Sequence, residues 1–129
     1  MPQQQLAPVS KDRHANKYWN KYKTFEFAAQ EHLAPLVVAE LPRAVKHFTM
    51  AFVQAGESYQ LMAVLSPLTP GQNMYVHPDG RWIGEYVPSC FRGYPFRLAK
   101  PPGQDNLVLC VDEGSGLVSD TEGEPFFDD

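Results

Sequence analysis

MYVHPDGRWIGEYVPSCFRGYPFRL, residues Met74–Leu98, is the stretch whose reading decides the fold. His77-Pro78-Asp79-Gly80 separates the apolar Met74-Tyr75-Val76 from Trp82-Ile83. Asp-Gly supplies the positive φ that a tight reversal needs, and proline fixes its own φ. The spacing therefore predicts a hairpin closed at Asp79-Gly80. Tyr75, Trp82, Tyr86, Phe91, Tyr94 and Phe96 crowd the same stretch. Aromatics at this density are mostly buried, because each ring removes a large apolar area from water. Pro88 and Pro95 exclude one long helix.

Strand signals continue on both sides. Phe48–Gln54 and Tyr59–Leu65 flank the turn Ala55-Gly56-Glu57-Ser58 and predict an antiparallel hairpin. Glu40–Phe48 carries Pro42 in its first turn and apolar Leu41, Ala44, Val45 and Phe48 at helical spacing, so it predicts a short helix over one sheet face. Thr24–Phe27 alternates like a short strand, and Pro35–Val38 reads as extended and buried. Pro95–Ala99 and Leu107–Val111 are two further strands. Leu107–Val111 is uninterrupted and apolar, which predicts a central strand buried on both faces with Cys110 inside. The sum is an α+β fold: a mostly antiparallel sheet of five or six strands with one or two short helices, a half-open barrel being the alternative closure. Residues 1–23 read as an extended basic-aromatic arm, 24–113 as a single α+β domain, and 114–129 as an acidic C-terminal segment.

A length of 129 residues suits one domain with one core. The net charge of −4 disfavours nucleic acid, whose binding depends on phosphate neutralisation. The basic-aromatic Lys11–Lys23 would suit single strands by itself, but packing of Tyr18, Trp19 and Tyr22 with wet lysines accounts for it equally. No run approaches the roughly 20 apolar residues of a membrane span. The N-terminus lacks the apolar centre of a secretory signal, which points to the cytoplasm. Asp105–Asp129 holds eight acids and no base, the composition of a solvated segment.

No catalytic motif is present. There is no GxSxG, GxxxxGK[ST] or GxGxxG. His14, His32, His47 and His77 are far apart and form no metal-binding spacing, so they read as surface residues and no metal or other cofactor is called for. Cys90 and Cys110, without a CxxC, read as reduced residues in or near the core. Arg81, Arg92 and Arg97, set among Trp82, Tyr86, Tyr94 and Phe96, could clamp a carboxylate or phosphate, or could simply stack on the rings.

Several pieces in order carry a family resemblance: His14, Phe27-Ala28-Ala29, Pro35-Leu-Val-Val-Ala-Glu-Leu-Pro-Arg-Ala44, Gly80-Arg81-Trp82 and Tyr86-Val87-Pro88. Arg92 with Tyr94-Pro95-Phe96, Leu109–Glu113 and Gly123-Glu-Pro-Phe-Phe127 complete the series. Together they resemble the N-terminal part of the SapC family of bacterial proteins. The family pattern has paired arginines before Tyr-Pro-Phe, where this chain has Arg92-Gly93. The family's name associates it with bacterial surface layers. The resemblance implies no catalytic residue; it implies a component of a surface or particle assembly whose partner is another protein or a further copy of itself.

The functional expectation is thus a non-enzymatic interaction or structural module. Its binding residues would be Arg81, Trp82, Tyr86, Phe91, Arg92, Tyr94 and Arg97, with Phe126 and Phe127 at an interface, because aromatics and arginine dominate interface hot spots. The alternative is a ligand-binding or enzymatic pocket around Arg81 and Arg92.

Overall fold

The structure, a computed structural model, describes residues 5–128. In chain order the strands are β1 (Leu6–Pro8), β2 (Tyr18–Trp19), β3 (Leu33–Pro35), β4 (Thr49–Ala55), β5 (Ser58–Val64), β6 (Phe96–Ala99), β7 (Val108–Asp112), β8 (Val118–Ser119) and β9 (Glu124–Pro125). Single helical turns are α1 (Lys11–His14), α2 (Leu41–Ala44) and α3 (Ser89–Arg92). The fold is α+β with antiparallel pairing throughout. Among the described residues the expected sheet of five or six strands is instead three three-stranded sheets, ordered β3-β5-β4, β1-β7-β6 and β8-β2-β9, and none of them closes into a barrel. Most of the strands are too short to extend one sheet further, and proline-bearing connections interrupt them.

The chain divides into two compact units. Thr24–Arg92 is the first, and the segments on either side of it, up to Lys23 and from Gly93, form the second.

In the first unit, β4 and β5 form the predicted hairpin, with Ala55 opposite Ser58 across Gly56-Glu57. Pro42 opens α2, as its position in the motif predicted. The Asp79-Gly80 reversal is also present: Gly80 has φ 92, and its N–H donates to the His77 carbonyl at 2.8 Å. Its arms reduce to one bridge, Val76 to Trp82. A Cβ on Gly80 would lie 2.8 Å from Thr24 Cβ, so glycine is needed for space as well as for φ. The core joins Ala28, Ala34, Ala44 and Ala63 with Leu36, Phe48, Leu65 and Phe91. The four alanines leave room for rings: Phe48 meets Tyr75 at 5.1 Å, and Tyr75 stacks on Trp82 at 5.5 Å. Thr24–Phe27 is not a strand; Glu26–Ala28 forms a 3-10 turn instead. An alternation only four residues long fits either geometry, and burial of Ala28 selects the turn. Leu36 is buried as expected, but Val37 and Val38 are exposed.

In the second unit, β7 is the middle strand of its sheet. Cys110 and Val111 are buried, but the expectation of burial on both faces fails at Leu107 and Leu109, which are 64% and 46% exposed. Residues 5–23, expected as an arm, contribute β1, α1 and β2. β1 pairs with β7, and β2 lies between β8 and β9, which come from the acidic segment. His14 in α1 is fully buried, not a surface residue.

Candidate functional site

Each unit is organised around a carboxylate. In the first, Glu40 precedes α2 and is only 5% exposed. Its Oε2 accepts from the Val37 N–H at 2.9 Å and from the Ser89 hydroxyl at 2.6 Å. Its Oε1 accepts from the Ser89 N–H at 2.9 Å and from the Tyr86 hydroxyl at 2.9 Å. Burial pushes this carboxyl up, but the four donors together outweigh it and hold the group below its ordinary value of 4.5. Burial, then the bond to Glu40 and its charge, raise the Tyr86 hydroxyl. Arg92 Nη2 donates to that hydroxyl at 3.3 Å, and its guanidinium lies 5.6 Å over the Tyr86 ring. Trp82 Nε1 donates to the Tyr86 carbonyl at 3.0 Å.

The other sequence-predicted residues of this unit divide between core and turn. Phe91 is a core residue, 2% exposed. Arg81 turns back on its own hairpin, donating from Nε to Asp79 Oδ2 at 2.8 Å. The Arg81 N–H, followed by smaller contributions from the Arg81 and His77 side chains, holds the Asp79 carboxyl below its ordinary value despite some burial. The two arginines are thus engaged by different partners, Asp79 and Tyr86.

In the second unit, Glu113 bridges Arg13 and His14. Arg13 grips it with both Nε, at 2.6 Å, and Nη2, at 2.5 Å. The Arg13 hydrogen bond is the main cause holding this carboxyl below its ordinary range. The Ser10 N–H donates to His14 Nδ1 at 3.2 Å, which leaves Nε2 to donate to Glu113 Oε1 at 3.1 Å. Phe126 stacks on the His14 ring at 4.9 Å and meets Phe96 at 5.6 Å. Lys11 Nζ lies 5.9 Å over the Phe127 ring. Burial, then the charge of Asp112, raise the Tyr94 hydroxyl. Arg97 is exposed on β6. Among the described residues no cluster of three or more His, Cys, Asp or Glu side chains is placed to hold a metal ion, and no helix is long and apolar enough to cross a membrane.

The SapC family model matches residues 9–129. The chain belongs to the SapC family. No curated protein and no solved structure matches it. Several of the pieces that carried the resemblance have a structural role in this SapC chain. Glu40 and Tyr86 meet at one hub, and His14, Glu113 and Phe126 meet at the other.

One surface was not signalled by those motifs. At the tip of the β4–β5 hairpin, Phe52 is 72% exposed and Tyr59 67%. Phe52 lies opposite Leu61, and Gln54 lies opposite Tyr59. Directly opposed residues share a face, so Phe52, Leu61 and Tyr59 form one apolar cluster on one side of the hairpin. The base of that same face, at Ala34 and Ala63, is buried in the core. Part of the signal for this face was available: β4 carries apolar residues on both faces, Met50 and Phe52 on one and Ala51 and Val53 on the other, so its pattern marks no polar face.

Proposed function

We propose that this SapC-family chain is a non-enzymatic protein-interaction module, a component of a larger surface or particle assembly. The observation that carries the reading is the exposed pair Phe52 and Tyr59, beside half-buried Leu61, on one face of a regular hairpin. Contiguous exposed aromatics on a rigid element are the composition of interface hot spots. The reading is also supported by the state of the polar groups. The Ser89 hydroxyl, the Glu40 carboxylate and both ring nitrogens of His14 are already engaged within the fold.

The test compares wild type with the double variant Phe52→Asp, Tyr59→Asp, introduced at the native locus in the source cells. Circular dichroism first establishes that the variant folds. The native complex containing the protein is then sized by gel filtration with light scattering. Wild type is expected in a complex heavier than one chain, and the variant is expected to leave it. A variant that stays in a complex of unchanged mass would sink the proposal.

A further inference from the structure

β4 has a second exposed feature besides its rings, its backbone edge. It is an outer strand of the β3-β5-β4 sheet. The turn fixes which of its residues face outward. Gly56 has φ 63, and no described residue other than glycine has positive φ, so Gly56-Glu57 is a type II′ loop. In such a hairpin the flanking pair, Ala55 and Ser58, exchanges hydrogen bonds, and every second pair along the ladder does the same. Thr49, Ala51, Val53 and Ala55 therefore bond to β5. The far side of β5 agrees: the Leu61 carbonyl accepts from Leu36 N–H at 3.1 Å, and Leu65 N–H donates to the His32 carbonyl at 2.8 Å. Odd-numbered residues of β5 face β3, so its even-numbered residues face β4. Met50, Phe52 and Gln54 must then direct their N–H and C=O groups away from the sheet.

We propose that β4 pairs antiparallel with β4 of a second copy of this chain, about a two-fold axis at Phe52. The proposal rests on the interaction-module reading and names the partner. In this register Phe52 faces Phe52 of the second copy, and Met50 faces Gln54 of the second copy. The three outward-facing residues are symmetric about Phe52, as a two-fold interface requires. Two three-stranded sheets become one of six strands.

Charge selects this partner and this direction. Phe48–Gly56 carries no charge, while Lys46 and His47 precede it and Glu57 follows it. Antiparallel self-pairing lays the Lys46 end of each copy against the Glu57 end of the other. Parallel pairing would set like against like. The strand also lacks the devices that keep an edge single, having no lysine, no proline and no bulge from Thr49 to Ala55. The other edge of the sheet, β3, is three residues long and ends in Pro35. Pairing at Phe52 also opposes two rings that are 72% exposed in the single chain.

The test uses two tagged forms of the whole chain, one with Met50→Cys and one with Gln54→Cys. Across a hydrogen-bonded antiparallel pair the Cα atoms lie about 5.5 Å apart, within the roughly 4.4–6.8 Å that a disulfide spans. Wild type is first sized by light scattering, with twice the 14.5 kDa of one chain expected. Under mild oxidation the mixed forms are expected to yield the mixed disulfide dimer at least about tenfold above either form oxidised alone, with oxidised wild type as the background for Cys90 and Cys110. Adding Phe52→Asp to both forms is expected to abolish it. A dimer without preferential mixed cross-linking overturns the strand pairing, while the interaction-module reading stands. A monomeric wild type also overturns it and leaves the hairpin to a different protein. A complex that ignores the Phe52→Asp, Tyr59→Asp double variant removes the earlier reading itself.

Discussion

The Ser89 hydroxyl donates to the Glu40 carboxylate at 2.6 Å across 49 residues of chain. This bond ties the head of α2 to the head of α3, and Tyr86 and the Val37 N–H complete the same carboxylate. Glu40→Gln replaces one acceptor oxygen with an NH2 group. Either amide orientation then sets a donor against a backbone N–H, Val37 on one side or Ser89 on the other. The variant should lose roughly 1.5–3 kcal/mol at neutral pH, the range for hydrogen bonds to a charged group. The folded carboxyl lies below its ordinary value of 4.5, so its contribution is present above that pH and is lost as pH falls through the folded pKa. The stability gap between wild type and Glu40→Gln should therefore narrow in acid. Urea unfolding at pH 7 and at successively lower pH reads this directly, and a gap that widens in acid would contradict it.

Local signals were legible where geometry follows from a few neighbouring residues. Gly56 and Gly80 mark their turns because only glycine takes those φ values cheaply, and Pro42 marks the start of α2. Long-range pairing was not legible. Gln5 N–H donates to Asp112 Oδ1 across 107 residues, and β2 is held between two strands of the acidic segment. Neither partner carries a local pattern that names the other. Glu40 was equally hidden. A glutamate at the start of a helix is the ordinary solvated choice, and only Tyr86 and Ser89, far along the chain, show it to be buried. For the hairpin, the apolar pattern was visible, but periodicity does not state which of two apolar faces packs on the core.

Val111 and Leu109 lie on the same face of β7, yet Val111 is fully buried and Leu109 is 46% exposed. Val111→Ala should cost roughly 2 kcal/mol through lost burial and a residual cavity. Leu109→Ala removes a larger side chain but should cost only about 1 kcal/mol, because roughly half of it is already in water. The order of the two variants is the discriminating result. Chemical denaturation of both would show it, and a larger loss for Leu109 would mean that this end of the sheet is covered.

Phe126 lies against His14 and Phe96, at 4.9 and 5.6 Å, and its N–H donates to the Lys17 carbonyl at 3.1 Å. These contacts place the ring in the packing of the second unit, beside β9. Its truncation removes half-buried apolar area and two ring contacts, which is worth roughly 2 kcal/mol. Phe127 is half-buried as well, with Lys11 Nζ 5.9 Å over its ring, a cation at the margin of effective range. Phe127→Ala should therefore cost about 1 kcal/mol, mostly through lost burial, and less than Phe126→Ala, which also loses two ring contacts. Deleting Glu124–Asp129 removes both rings and the β9 partner of β2 together, so it should destabilise at least as much as Phe126→Ala. Thermal melts of the three variants separate packing from docking. If Phe126→Ala keeps the wild-type melting temperature while the association state falls, the ring belongs to an interface, and its packing against His14 contributes little to the fold.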